Sequence, residues 1–470
     1  MSISGTSSTS STSSSGSIDV SGIVSQLMQV ESQPLTQLQQ KESNTQAVLT
    51  AYGQVQSAVS SLQTAINTLR QSSAFTVGKA TVAGNGTSAV AGTGAASGRY
   101  AVSVSQLARA QSTASAAVAT ADTSIGSGSL TITSADGSTV LASVSLGGAS
   151  GPGTLNQAVD EINAANTSVR ASLVSDGGQV RLVLTSTQTG SANGFQVTAD
   201  PGLTGLSFTT TQTAQDASYS VNGLPLTSSS NTITDAIPGV TLSLTQQPPA
   251  GSPPGTTVDS EISVDLDTNA VASNVQAFVT AYNSLETTID NLTKYDPSSQ
   301  TAAVLNGEST TRQLQGQVRS IVTGAMTNVA GNGYTYLSQI GISFQADGTL
   351  SLDSSKLSAA LTSNPGQVTQ LFTNVAASGA RGTDNGFAVQ LSQQLSAILA
   401  PDGLLDAREQ GLQTSISQMN DQVTAMQSQL ALTQQRLTAQ YSALDALLST
   451  RQQQMAQLTS ALAGLQVKTG

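Results

Sequence analysis

The last sixty residues of this 470-residue chain repeat apolar residues every seven positions, which restricts how the chain can fold. The repeated positions are apolar except for Arg451: Ile416, Val423, Leu430, Leu437, Leu444, Arg451 and Leu458. A companion line, three residues further on, starts with Met419 and Met426 and becomes polar at Thr433 and Gln440. A spacing of 3.5 residues keeps one stripe of a helix facing a partner helix. The segment therefore predicts a coiled-coil helix roughly 80 Å long.

A second run with heptad spacing lies near the other end of the chain, between Leu35 and Leu69. Its pattern residues are Val48, Tyr52, Val55, Val59, Leu62, Ile66 and Leu69. Pro34 suits a first helical turn, where its missing N–H is not needed. Both runs are several times longer than a typical helix of about 11 residues. We predict that the two terminal helices pair as a coiled-coil leg; the alternative is two ordinary surface helices on a globular core.

The segment after Phe75 changes to the period of two residues that is typical of strands. Residues 99–104 alternate in this way, and Asp136-Gly137 is a strong signal for a two-residue hairpin turn. A short helix is expected from Thr154, followed by a hairpin of strands at 169–174 and 179–184. The middle of the chain is therefore expected to be rich in short strands.

Helical spacing returns at Ala270 and continues through Leu292, and a second helix is expected at 309–326. A hairpin with the turn Asp347-Gly348 follows these helices. Pro401-Asp402-Gly403 separates this region from the final helix.

The predicted fold class is α+β and multidomain, with the terminal helices paired as a leg and β-rich head domains in the middle. The expected segments are a disordered tail (1–17), the N-terminal half of the leg (18–72), the start of a helix-and-strand stem domain (73–112), an outer β-rich head with a small helix–hairpin insert (113–215), an inner β-rich head that also takes strands from 100–125 (216–262), a stem domain of helices and a hairpin (263–400) and the C-terminal half of the leg (401–470).

The composition removes many kinds of catalytic and metal site, because the chain has no Cys and no His. Asp265-x-Asp267-x-Asn269 opens like a calcium loop but lacks the required Gly and the closing Glu, so a solvated strand edge is expected. We predict no enzyme activity, no metal and no cofactor. A net charge of −11 argues against nucleic acid as a partner. No apolar run approaches the ~20 residues of a membrane span, so membrane insertion is not expected.

Several motifs together resemble the family of bacterial flagellar filament-capping proteins, also called hook-associated protein 2. They are Asp19-Val20-Ser21-Gly22-Ile23-Val24, Pro34-Leu35-Thr36-Gln37-Leu38, Gln106-Leu107-Ala108-Arg109-Ala110-Gln111, the strand and Asn222-Gly223 turn at 216–223, Ile237-Pro238-Gly239-Val240 and Phe278-Val279-Thr280-Ala281-Tyr282-Asn283. The helix and hairpin after Thr154 are similar to a small repeat of flagellins and hook-associated proteins. The resemblance covers most of the chain, from Ile18 to about Leu448.

This resemblance implies a structural protein at the distal end of the flagellar filament that promotes folding and insertion of exported flagellin. It implies secretion through the flagellar export apparatus and a ring-like homo-oligomer with flagellin and hook–filament junction proteins as partners. An export chaperone at the C-terminal helix is also expected, and host mucin or glycans are a further open partner. We expect leg and oligomer contacts at Val48, Tyr52, Val55, Val59, Leu62, Ile66, Leu69, Ile416, Val423, Leu430, Leu437 and Leu444.

Two other kinds of protein remain open from the sequence. A flagellin or hook–filament junction protein would also have helical termini and a β-rich middle, but the terminal Asn/Leu-rich motifs of flagellins are not seen. A surface adhesin would act through its head domains. Filament loss in a deletion strain favours the cap, and lost adhesion with normal filaments favours the adhesin.

Overall fold

The computed structural model describes residues 19–148, 151–165, 168–326, 333–375 and 384–466. The tail expected over residues 1–17 lies outside the described residues. Within the described residues, buried apolar side chains gather in three clusters, one among helices and two among sheets. The fold is α+β and multidomain, with helices at both ends and strands in the middle, which confirms the predicted fold class.

Helices occupy both ends of the chain and the region after the sheets. They are α1 (Val20–Glu31), α2 (Gln33–Leu69), α3 (Leu155–Ala164), α4 (Thr268–Thr293), α5 (Ser309–Thr323), α6 (Ser354–Ser363), α7 (Pro365–Thr373), α8 (Phe387–Leu399) and α9 (Leu404–Gln466). Side-chain caps start several of them: Asp19 accepts from the Gly22 N–H, Thr154 from Gln157 and Asp267 from Ala270. Asp402, with a φ of +63°, lies in the break between α8 and α9.

Strands fill the region between α2 and α4 and form two short hairpins beyond it. They are β1 (Gly78–Gly84), β2 (Thr87–Ala91), β3 (Gly98–Gln106), β4 (Ser112–Ser115), β5 (Gly128–Ser134), β6 (Val140–Leu146), β7 (Val169–Asp176), β8 (Gln179–Ser186), β9 (Phe195–Ala199), β10 (Phe208–Gln212), β11 (Ala217–Val221), β12 (Leu224–Ser228), β13 (Thr232–Ile237), β14 (Val240–Leu244), β15 (Val258–Leu266), β16 (Tyr295–Asp296), β17 (Thr301–Ala302), β18 (Ile342–Phe344) and β19 (Leu350–Leu352).

We call the body built on the five-stranded sheet β1-β15-β3-β11-β12 and the three-stranded sheet β13-β14-β2 the inner domain. Every pairing in the two sheets is antiparallel. Asn222 and Gly223 have φ values of +50° and +80°, which suit the two-residue turn that joins β11 to β12. Val102, Leu242 and Ile262 are buried between the sheets.

The outer domain consists of the sheets β10-β4-β8-β7 and β6-β5-β9 together with α3. Ile132, Ile162 and Leu182 share its hydrophobic cluster. The predicted hairpin at Asp136-Gly137 is confirmed, because β5 and β6 pair around it. The predicted two-residue turn is wrong, since β5 ends at Ser134 and β6 begins at Val140; Gly137 has a φ of +71° within this longer loop. The predicted helix from Thr154 and the hairpin that follows it are confirmed as α3, β7 and β8.

The remaining helices and the hairpins β16–β17 and β18–β19 form what we call the stem. The chain leaves the stem after α2, builds both sheet domains and returns at α4, which follows β15 directly. The Asp267 N–H, just before α4, donates to the Val77 carbonyl just before β1 at 2.8 Å. The inner domain is thus joined to the stem by two adjacent chain passages. The segment boundaries proposed from the sequence stay predictions.

Candidate functional site: the stem and its C-terminal helix

The predicted N-terminal contact residues lie on one face of α2 and are buried within the stem. Tyr52, Val55, Val59, Leu62, Ile66 and Leu69 are each 0% exposed, and Val48 is half-buried beside them. Helices α4, α8 and α9 of the same chain pack against α2. In this chain, therefore, the α2 face holds the stem together, because elements of the chain itself cover it.

Four phenylalanines from distant parts of the sequence close the centre of the stem. The ring centroids of Phe75 and Phe372 are 5.0 Å apart, those of Phe278 and Phe387 are 5.2 Å apart, and those of Phe372 and Phe387 are 5.9 Å apart. These separations lie in the range where aromatic pairs add about 0.5–1.5 kcal/mol beyond their buried area. The chain has only seven phenylalanines, so more than half of them stabilise this one core.

A polar group ties α2 to the start of α9 at one end of this core. The Tyr52 hydroxyl donates to Glu308 Oε2 at 2.9 Å, and Arg408 Nη2 donates to Glu308 Oε1 at 2.8 Å. The Arg408 guanidinium also lies 6.0 Å from the centroid of the Tyr52 ring. Burial raises the pKa of Tyr52, so its hydroxyl stays protonated and donates. Glu308 therefore joins the two terminal helices through one carboxylate.

Side chains on α8 form a second group of polar contacts with α2. The Gln63 amide donates to the Ser396 hydroxyl at 2.9 Å, and the Ser392 hydroxyl donates to Asn67 Oδ1 at 2.9 Å. Ser392 is only 2% exposed and also accepts from Arg70 at 3.4 Å. Hydrogen bonds of this kind are directional, so they fix how α2 and α8 are rotated against each other.

The first part of α9 packs against the N-terminal helices, as the sequence predicts. Leu412 and Met419 are buried, and the predicted contact residues Ile416, Val423, Leu430 and Leu437 are half-buried. Both α1 and α2 contact α9. At about 1.5 Å per residue, the 63 residues of α9 extend for about 95 Å.

The covered stripe of α9 changes its phase between Thr433 and Tyr441. Up to Thr433 the covered positions alternate in steps of three and four residues, but Thr433, Leu437, Tyr441 and Asp445 follow one another in three steps of four. An extra step of this kind is a stutter, which rotates the seam around the helix. The predicted companion line is wrong beyond Thr433, because Gln440 is exposed and Tyr441 is half-buried in its place.

Beyond the stutter, α9 presents a row of exposed apolar residues that we call the distal seam. Counted together with Arg451, its positions again follow steps of three and four residues. The exposed fractions of its apolar members run from 38% to 65%: Leu444, Leu448, Met455, Leu458 and Leu462. The predicted contact Leu444 belongs to this row rather than to the covered part. Sequence counting missed Leu448, Met455 and Leu462, although their four-residue offset from the first line was a usable signal. Arg451 occupies one position of the same row and is exposed.

The acidic cluster considered for calcium is engaged in local contacts. Asp267 caps α4, and Glu261 pairs with Arg99 at 3.0 Å on the surface of the inner domain. Among the residues that the structure describes, no three Cys, His, Asp or Glu side chains form a group able to hold a metal ion. No helix in the described ranges has both the length and the apolar character required to cross a bilayer.

The fold is a stem of paired terminal helices that carries sheet-rich domains, and comparison with known families assigns it to the structural proteins of the flagellum. Residues 129–188 match the flagellin hook IN motif. Residues 16–111 match the N-terminal model, and residues 214–453 the C-terminal model, of flagellar hook-associated protein 2. The chain belongs to the flagellar hook-associated protein 2 family.

Individual relatives agree with this over nearly the full length. The chain is 30% identical to the A-type flagellar hook-associated protein 2 of Pseudomonas aeruginosa over 98% of this chain and 99% of the relative. It is 28% identical to the flagellar hook-associated protein 2 of Escherichia coli over 92% of this chain and 93% of the relative. A crystal structure of the flagellar cap protein of Escherichia coli superposes with a TM-score of 0.61 and 29% identity, covering 77% of this chain and 99% of that chain.

The chain is thus a flagellar filament cap, exported through the flagellar apparatus and located at the distal tip of the flagellum. Its family is structural, oligomerises and sits on the flagellin filament. The resemblance seen in the sequence and the predicted localisation are confirmed.

Proposed function

We propose that this cap engages the filament end through the distal seam of α9, while the stem and the sheet domains stay outside as a plate. The single observation that carries the proposal is the row of exposed apolar residues from Leu444 to Leu462. A helix face with 3.5-residue spacing is matched by another helix of the same spacing. The seam would therefore pair with helices of neighbouring copies or of flagellin at the open end of the filament.

The covered and exposed parts of α9 have different roles in this proposal. The part before Thr433 is held by α1 and α2 and fixes the direction of the leg. The stutter then turns the apolar stripe, so that the distal seam presents a different side of the helix. A ring of copies would bring several such seams together below the plate.

The finer partners expected from the family stay proposals for this chain. An export chaperone would cover the distal seam before secretion, because an isolated helix draws little stability from propensity alone. Hook–filament junction proteins would receive the first cap, and the heads would contact flagellin and, in a host, mucin or glycans. We propose no catalytic step, since the chain lacks His and Cys and its polar groups described above serve helix caps and helix contacts.

The test is complementation of a strain that lacks this chain, with electron microscopy of filaments and assay of secreted flagellin. Leu448→Asp with Leu458→Asp should leave the stem folded but abolish filaments, so that flagellin appears as monomers in the medium. Leu432→Asp is the matched control, because Leu432 is 67% exposed on α9 but lies off the seam. Normal filaments with the double variant would overturn the role of the seam.

A further inference from the structure

A groove on the stem combines exposed aromatic side chains with an acidic pocket, and it is distinct from the distal seam. Its apolar part is lined by Val322 and Leu350 and flanked by Tyr336 and Phe344, and it has a volume of about 150 Å³. Tyr336 and Phe344 are 46% and 38% exposed. The chain has only fifteen Phe and Tyr residues, and two of them expose their rings beside this one groove. Exposed apolar groups that cluster in this way mark an interaction surface.

The acidic part adjoins the apolar part through Arg319. The Arg319 guanidinium lies 5.3 Å from the centroid of the Phe344 ring, and Nη2 is 3.8 Å from Glu286 Oε2. The pocket has a volume of about 360 Å³ and is lined by Glu286, Asp290 and Asp347 as well as by Arg319. Three carboxylates face one guanidinium, so two negative charges remain when all are ionised.

Glu286 is the buried member of this pocket. The residue is 7% exposed, and its Oε2 accepts from the Gln315 amide at 2.9 Å. Burial raises the pKa of Glu286, with Arg319 opposing the shift and Asp290 adding to it. The neighbouring ammonium group of Lys294 donates to Asn291 and does not line the pocket. Arg319 neutralises only one of the three carboxylates, so a positively charged side chain of a partner would stabilise the other two.

The backbone around the groove is held before any partner arrives. The Gln339 side chain accepts from the N–H groups of Thr335 and Tyr336 at 2.7 and 2.9 Å. Asn283 on α4 donates to the Leu350 carbonyl at 2.9 Å and accepts from the Leu350 N–H at 2.7 Å. Such a fixed surface binds with less loss of conformational entropy.

We propose that this groove receives a segment of a flagellin subunit in which an apolar side chain stands beside a lysine or arginine. The apolar side chain would enter between Tyr336 and Phe344, and the basic one would reach Asp290 and Asp347. The proposal rests on the capping role proposed above and adds a place where an incoming subunit is held.

A second copy of this chain fits the groove less well. Exposed apolar–basic pairs on α9, such as Leu432 with Arg436 and Leu448 with Arg451, lie about 36 Å or more along the helix from Arg408. A closed ring places equal residues at equal heights, so these pairs of a neighbouring copy lie away from the groove.

The first experiment places the photo-crosslinker p-benzoylphenylalanine at position 336 of the full chain in cells that grow filaments. Irradiation should join it to flagellin at a segment with a Lys or Arg within a few residues of an apolar side chain. The same crosslinker at Tyr295, 55% exposed on another hairpin of the stem, is the control and should give no such product. Crosslinks only to a second copy of this chain, or none to flagellin, would overturn the proposal.

The second experiment measures binding of purified flagellin monomers to the full-length protein. Tyr336→Ala should weaken binding by about tenfold, as truncation of an aromatic anchor does, and Asp290→Asn with Asp347→Asn should weaken it and reduce its dependence on salt. Tyr295→Ala and Asp160→Asn, both on exposed side chains elsewhere, should leave it unchanged. Unchanged affinity of the groove variants, in a chain that still restores filaments, would reject the groove and leave the capping role intact. A wild-type chain that restores no filaments would reject both.

Discussion

Tyr52 and Glu308 are 256 residues apart in the sequence, and the Tyr52 hydroxyl donates to the Glu308 carboxylate at 2.9 Å. The same carboxylate accepts from Arg408 at 2.8 Å. One acidic side chain in front of α5 thus fixes the register of both terminal helices. The distal part of α9 depends on this register, because a helix that slides or rotates at Arg408 carries its whole exposed row with it.

Glu308→Ala should therefore lower the free energy of unfolding of the stem. It leaves the Tyr52 hydroxyl and the Arg408 guanidinium without this acceptor, and we expect a loss of about 1–3 kcal/mol. Urea unfolding followed by the helical circular-dichroism signal measures it. Glu261→Ala is the control, since Arg99 and Glu261 are 79% and 52% exposed and such surface pairs contribute about 0–1 kcal/mol. Equal losses in the two variants would contradict the central role of Glu308.

The sequence predicted the apolar stripe of α2 and its pairing with α9, but not that α4 and α8 would also cover it. Heptad spacing marks Tyr52, Val55 and Leu62 as one face, yet spacing alone does not tell a partner helix of another copy from helices of the same chain. The four phenylalanines of the core come from parts of the sequence with different local patterns, and α8 was not predicted. These residues meet only in the folded chain, so the local spacing of apolar residues does not predict their contact.

The candidate site was predicted in part for a similar reason. The line from Ile416 to Leu444 was read correctly as apolar, but the stutter after Thr433 moved the companion positions by one residue. Counting apolar positions in fixed steps of seven misses a stutter, whereas counting them in steps of three and four detects it. The stem groove had no linear signal, because Glu286, Arg319 and Phe344 belong to three separate elements.

The pH dependence of stability should reveal the buried carboxyl of Glu286. Burial raises its pKa above the ordinary value of 4.5, so the folded state binds the proton more tightly than the unfolded state. This contribution to stability is fully present below pH 4.5 and is lost as the pH rises through the raised pKa. Glu286→Gln should therefore gain stability relative to the wild type as the pH rises from 4.5, measured by urea unfolding across pH 4 to 8.

Asp136 in the outer domain supplies a control of opposite sign. Hydrogen bonds from Ser134 and Ser138 lower the pKa of Asp136 to about 2 from an ordinary 3.8. Its contribution is present above pH 3.8 and is lost as the pH falls towards 2, so Asp136→Asn should lose stability relative to the wild type as the pH rises through that window. A Glu286→Gln difference that follows this direction would contradict the assignment of burial as its cause.

The two sheet domains should fold without the stem. Gly78 to Leu266 contains β1 to β15 and both sheet-domain clusters, and β1 pairs with β15 so that the two ends of the fragment lie side by side. We expect this fragment to be soluble and monomeric, with a strand-dominated circular-dichroism spectrum and a cooperative thermal transition. A fragment extended to Leu399 but lacking α2 is the contrasting case, because it uncovers the faces of α4 and α8 that α2 buries. It should aggregate, and a soluble monomer would show that α2 is dispensable for the stem.

The distal seam should be the least protected part of α9 in the free protein. Helix segments without tertiary packing are marginal in water, and Leu444 to Leu462 have no covering element among the described residues, whereas Leu412 to Leu437 are packed against α1 and α2. Hydrogen exchange with mass spectrometry should find the amides after Leu444 exchanging at least about tenfold faster than those before Leu437. Assembly onto filament ends should slow exchange in the distal seam selectively, because pairing with another helix buries it. If the variant with Leu448→Asp and Leu458→Asp gains the same protection from exchange on assembly, another surface of α9 is covered there.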